Sequence, residues 1–146
     1  MTVIKGRPVV RGKGTGPALV TRMPINFTAA FTKPPNLLPW KKSAIMDAHH
    51  ELYNKPVKGT VLVFPACIGS TYTGMMLMQL MYDRVAPAAM VVQNADSLLT
   101  SGAVLGDVWF DRGVPIVEYE SDDIFEKIRN GAQVEVDGVT GEIKLR

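Results

Sequence analysis

TVLVFPACIGSTYTG, residues 60–74, is the stretch on which the reading of this chain turns. Val61, Leu62, Val63 and Phe64 form a continuous apolar run of strand length, which predicts a buried strand. Pro65 ends it, because proline has no amide hydrogen to give to a ladder. A polar loop follows: Gly69, Ser70, Thr71, Tyr72, Thr73 and Gly74. Residues 75–84 then read as a helix apolar on nearly every face, with Met75, Met76, Met78 and Met81 beside Leu77 and Leu80. A helix buried on most sides holds its N-terminal loop rigid. That end carries roughly half a positive charge, so the loop suits a carboxylate or a developing oxyanion.

Upstream, residues 3–10 alternate loosely around Pro8 and predict an irregular edge strand. The glycine-rich RGKGTG of residues 11–16 reads as a turn between strands; its spacing is not that of a phosphate-binding loop. Residues 18–21 form a short strand. Residues 24–53 have little periodicity and contain Pro24, Pro34, Pro35 and Pro39. A stretch of that kind in a compact domain marks a surface loop or an interface. Phe27, Phe31 and Trp40 are expected to be exposed there, facing another chain. His49 and His50 suit backbone hydrogen bonding better than metal ligation, since no carboxylate or thiol set completes a site.

Downstream, residues 88–93 and 114–119 predict two more strands, and residues 96–102 a single helical turn. SDDIFEKIRNG, residues 121–131, is an amphipathic helix with Ser121 as its N-cap and Gly131 as its stop. Residues 133–136 and 142–145 close the chain as a hairpin. Interleaved strands and helices in the middle, with antiparallel pieces at both ends, predict an α/β fold. Its form is a mixed three-layer β/β/α domain rather than a doubly wound sheet.

At 146 residues the chain reads as one domain, residues 1–146. Its 47% hydrophobic content excludes a disordered chain. Sixteen basic and 14 acidic residues leave +2, too little for a nucleic-acid surface. No apolar span suits a membrane helix, no signal peptide is evident, and the single Cys67 fits a reducing cytoplasm. One thiol and two histidines cannot hold an iron–sulfur cluster.

In order, the segments GKGTGPALVT, PINF, HHELYNKPVKGTVLVFPACIGSTYTG, APAAMVVQNADSLLTSGA and GVPIVEY resemble the small subunit, or swivelling domain, of the aconitase X family. The resemblance runs from about Arg11 to Tyr119. It implies a hydro-lyase that dehydrates a hydroxy acid, active only with a large subunit that holds the iron–sulfur cluster. The family's proton-accepting serine maps onto Ser70, which makes Ser70 the expected catalytic residue. Gly69, Thr71, Tyr72 and Thr73 are the expected substrate contacts; no metal ligands are expected in this chain. Relatives often carry Gly-Lys/Arg-Gly-Ser where this chain has Cys67-Ile68-Gly69-Ser70.

Known family activities act on cis-3-hydroxy-L-proline and mevalonate 5-phosphate. The first requires anti loss of water, with the base and the Lewis acid on opposite ring faces, as a two-part site would place them. Serine serves as a base only if its anion is stabilised. The amides of Thr71, Tyr72 and Thr73 at a helix start would do so, and Gly69 would let the backbone approach. The alternative is that Ser70 and Thr71 cap the following helix. The neutral, partly apolar loop around Ile68 and Tyr72 favours cis-3-hydroxy-L-proline, and hence Δ1-pyrroline-2-carboxylate as product, over a phosphorylated substrate. Two rivals share the swivelling fold. A phosphohistidine carrier needs a histidine after the central strand, and none follows His50. A non-catalytic regulator would bind another enzyme through residues 27–40.

Overall fold

The computed structural model describes residues 1–33, 36, 38 and 43–146. Among the described residues, eight strands and four helices follow one another. β1 (Thr2–Lys5), β2 (Arg7–Val10) and β3 (Lys13–Val20) come first, then α1 (Phe27–Phe31) and β4 (Val61–Phe64). Next are α2 (Thr73–Tyr82), β5 (Ala89–Val92), α3 (Ser97–Phe110) and β6 (Ile116–Glu118). α4 (Ile124–Lys127) and the hairpin β7 (Gln133–Asp137) and β8 (Glu142–Leu145) end the chain.

The strands hydrogen-bond in the order β1-β8-β7-β3-β4-β5-β6-β2. β3, β4, β5 and β6 run parallel, and the outer pairings are antiparallel. The predicted single edge strand is two strands at opposite ends of this order. The chain bends at Gly6, where a Cβ would fall 2.5 Å from Val117 Cγ1 and 2.8 Å from Glu118 O. Pro8 is tolerated because β2 lies on an edge, where a missing amide donor costs nothing.

β3 joins the two sheet layers. Lys13–Pro17 pair antiparallel with β7, and Ala18–Val20 pair parallel with β4. The stretch predicted as a glycine turn is therefore largely strand. Gly14 and Gly16 lie on one side of it, and a Cβ on either would stand 2.0–2.1 Å from the carbonyl oxygens of Ala88 and Gly59. Glycine is present here for close backbone approach, not for a turn.

β4 shows how the layers form. It is buried on both faces, as its apolar run predicts. Leu62 and Phe64 face a core shared with α1, α2 and α3, including Phe27, Leu77 and Leu99. Val61 and Val63 face the second core, with Ile4, Val134, Val136 and Ile143 of the outer strands and Ile124 and Ile128. The alternation of a strand thus feeds two cores, and the β/β/α layering follows.

The helices depart from the sequence reading in three places. α2 buries Leu77, Leu80 and Met81, but Met75 is 61% exposed. The helix has a solvent face after all. α3 runs 14 residues rather than one turn. Gly102 and Gly106 let α2 approach: Gly102 packs against Gly74, and Gly106 against Met81. Asp96 caps α3 by accepting from Leu99 N at 2.8 Å. α4 is only four residues. Its N-cap is Asp123 rather than Ser121, and Gly131 follows it with φ +86°.

The aromatic segment also differs. Phe27 is 0% and Phe31 6% exposed, packed edge to face at 5.2 Å, with Phe27 6.2 Å from Phe64. These rings belong to the core, not to an interface. Trp40, Pro34, Pro35 and Pro39 lie outside the described residues. His50 meets its expectation: Nδ1 accepts from Leu52 N at 3.0 Å. The hairpin is as predicted, with Asp137 Oδ1 accepting from Val139 N and Thr140 N in its turn. Among the described residues no helix is long and apolar enough to cross a membrane.

Candidate active site

The loop after β4 lies beyond the C-terminal ends of the parallel strands, where open α/β sheets place their ligands. It does not stand alone. Residues 25–28 run beside it: Ile25 N donates to Ala66 O and Ile68 N to Ile25 O, each at 3.0 Å. Ile25 and Cys67 form a parallel bridge. Ile25 is buried, and Phe27 anchors the next turn in the core. Asn26 caps α1 by accepting from Ala29 N at 3.1 Å.

Gly69 has φ +85°, a conformation that favours glycine. Ser70 follows it. Its Oγ accepts two hydrogen bonds, from Thr28 Oγ1 at 2.6 Å and from Tyr72 N at 3.0 Å. Thr73 Oγ1 donates to Ser70 O at 3.0 Å. Thr73 is 1% exposed, so its hydroxyl fixes the loop where α2 begins. Thr71 and Tyr72 are exposed, as are Ile68 and Gly69.

Ser70 is not the cap of α2. The N-cap position is Tyr72, with no side-chain cap bond. The amide that Ser70 takes is that of Tyr72 itself, before the first helical turn. An oxygen that receives two donors is stabilised most when it carries negative charge. The loop, residues 65–74, contains no charged residue that would oppose this.

Sequence reasoning missed Thr28. It lies 42 residues before Ser70, in a stretch without periodicity. Its neighbours PINF were noticed only as a family signature, and no spacing rule connects them to the loop.

Cys67 sits at the base of the loop. Burial first, and the negative charge of Asp96 second, push its thiol well above the usual range. It is the single cysteine of the chain. Among the described residues no group of three or more His, Cys, Asp or Glu side chains could hold a metal ion. With one cysteine in the sequence, the described residues do not fit an iron–sulfur cluster.

The family profile of the aconitase X swivel domain matches residues 3–145. The chain belongs to this family. Among curated relatives of this swivel domain, the phosphomevalonate dehydratase small subunit of Methanocella arvoryzae is 37% identical over 142 residues, covering 97% of this chain and 98% of the relative. The protein of the same name from Thermococcus sibiricus is 34% identical, covering 97% of each. The crystal structure of Thermococcus kodakaraensis aconitase X, holo-form, superposes with a TM-score of 0.83 at 28% identity, over 100% of this chain and 99% of that one. The mixed α/β architecture of this swivel domain is thus that of a solved aconitase X.

Proposed function

We propose that this chain, as one swivelling unit over residues 1–146, is the small subunit of a cytoplasmic two-chain hydro-lyase, with Ser70 as proton acceptor. The observation that carries the reading is the pair of donors on Ser70 Oγ, from Thr28 and Tyr72. Two donors favour the alkoxide over the neutral hydroxyl. The alkoxide takes a proton from the substrate carbon, so that a C–H bond breaks and an O–H bond forms at Ser70. The electron pair left behind becomes the new C=C bond, and hydroxide leaves the neighbouring carbon. Loss of the proton from Ser70 restores the alkoxide and completes the water. Gly69, with its left-handed φ, sets Ser70 beside Asn26 and Thr28, and the exposed Thr71 and Tyr72 follow Ser70 as the candidate substrate contacts. The large subunit holds the iron–sulfur cluster, because this chain has one cysteine.

The substrate supported by the relatives' names is mevalonate 5-phosphate, at 37% and 34% identity over nearly the whole chain. A second reading, cis-3-hydroxy-L-proline, has its own observation. Residues 65–74 carry no charge, and Ile68 is 50% exposed two residues from Ser70. A phosphate carrying about two negative charges usually recruits Arg or Lys, which on the first reading the large subunit provides. The test is to give the purified two-chain complex each compound separately and measure kcat/KM, with a Ser70→Ala complex beside it. Turnover of mevalonate 5-phosphate alone supports the first reading, and of cis-3-hydroxy-L-proline alone the second. Dehydration of neither overturns both substrates, and full activity of the Ser70→Ala complex overturns the proton acceptor.

A further inference from the structure

We propose that Thr28 is a positioning residue for Ser70: its hydroxyl, donated at 2.6 Å, holds the Ser70 oxygen in place and favours its anion. This rests on the reading of Ser70 as the proton acceptor. A neutral serine oxygen has two acceptor sites, and Thr28 Oγ1 and Tyr72 N fill both. The hydroxyl proton is then left to point away from both donors. Once that proton has gone, the two donors hold the charge and the remaining lone pair faces the substrate.

The placement of Thr28 is set by backbone, not by chance contact. It is the second residue of α1, and the preceding turn is fixed by Asn26 as N-cap. Phe27, fully buried between Phe31 and Phe64, pins the helix to the core. The Ile25–Cys67 bridge then sets the distance between the two segments. Threonine is β-branched and has few χ1 choices, so its hydroxyl is held with little entropy left to lose. Thr28 and Ser70 therefore meet as two prearranged groups, which is what stabilising a charge without reorganisation requires.

A plain structural clasp between α1 and the loop is the rival account, and substitutions separate the two. Thr28→Val keeps the branched shape and removes the donor. Thr28→Ser keeps the donor and removes only a methyl group. In the two-chain complex, with whichever compound it dehydrates, Thr28→Val should lower kcat about 10- to 100-fold, the range for losing a hydrogen bond to a charged group. KM should change little. The acidic limb of the rate profile should move to higher pH, because the Ser70 anion becomes harder to form. Thr28→Ser should restore most of the rate and the original profile. An unchanged profile with Thr28→Val, or a Thr28→Ser variant as impaired as Thr28→Val, overturns the proposal. If Thr28→Val does not assemble, Thr28→Ala is read by the same criteria. Ser70→Ala, run in parallel, keeps the two ideas apart. Wild-type rate there removes the Ser70 reading and the role of Thr28 with it. An inactive Ser70→Ala complex beside an unaffected Thr28→Val complex removes only the role of Thr28.

Discussion

Asn26 fills the space beside Gly69: a Cβ on residue 69 would lie 2.5 Å from Asn26 Nδ2. The same asparagine caps α1, which carries Thr28, while Gly69 immediately precedes Ser70. The two halves of the candidate site therefore touch through this pair. Gly69→Ala meets two penalties at once, a left-handed φ of +85° and the Asn26 side chain. We expect a loss of about 1–3 kcal/mol in stability. The fall in kcat should exceed what the unfolded fraction explains, because Ser70 and Thr28 are displaced together. Thermal unfolding and kcat of the complex, measured on one preparation, check this.

Ser70→Ala removes the proton acceptor and the oxygen to which Thr28 Oγ1 and Tyr72 N donate, while the main chain of the loop keeps its own ties. Thr73 bonds the Ser70 carbonyl, not its hydroxyl, so the loop retains that tie. Folding and complex formation should survive. Turnover should fall at least about 10²-fold, the lower range for a general base. Ser70→Cys should not restore the full rate, since sulfur is larger and the space beside Thr28 is fixed. Single-turnover rates of the three complexes decide it.

The central strand and the three strands around it were legible as short apolar runs between turn residues, and the closing hairpin as two alternating stretches about a glycine-containing turn. The Ser70 loop was legible from its family motif. What failed did so for identifiable reasons. Phe27 and Phe31 look like surface aromatics because five helical residues are too few to show a period. Their burial depends on Phe64, far along the chain. Gly102 and Gly106 look like helix breakers until α2 is present to fill the space they leave. Gly14 and Gly16 mimic a turn for the same reason. Thr28 leaves no trace in the sequence, because its role is a contact between segments, set by the Ile25–Cys67 bridge, and not a pattern within one.

The crossing of α2 and α3 offers a further test. A Cβ on Gly102 would lie 2.5 Å from Gly74 Cα and 2.6 Å from Gly74 O. Backbone cannot yield as a side-chain tip can, so Gly102→Ala must push the helices apart. Overpacking of this kind costs about 1–3 kcal/mol. Gly74 is the second residue of α2, next to Thr73. The displacement therefore reaches the loop that holds Ser70, and kcat should fall along with the unfolding temperature. Ser101→Ala, one residue away and exposed, should change neither.

The edge at β2 carries a pH dependence whose sign can be worked out. Glu118 is 8% exposed. Its Oε1 accepts from Arg7 at 3.0 Å (Nε) and 2.6 Å (Nη2), and its Oε2 accepts from Ala95 N at 2.8 Å. Burial pushes this carboxyl up, but the Ala95 amide and Arg7 together outweigh it and hold it below the usual carboxylate value. The unfolded chain titrates near the ordinary value of about 4.3. A folded value below the unfolded one means that the folded state binds its proton less readily. The stabilisation is therefore complete above about pH 5 and is lost as pH falls through the folded value. At neutral pH Glu118→Gln should cost about 1–3 kcal/mol, since Ala95 N and Arg7 lose a charged acceptor. As pH falls below about 4.3 the gap between wild type and variant should narrow, because only the wild type has this contribution to lose. Denaturant midpoints for both proteins between about pH 7 and 3 measure the gap. A gap that stays constant or widens toward acid would show that the charge on Glu118 is not what joins β2 to β6.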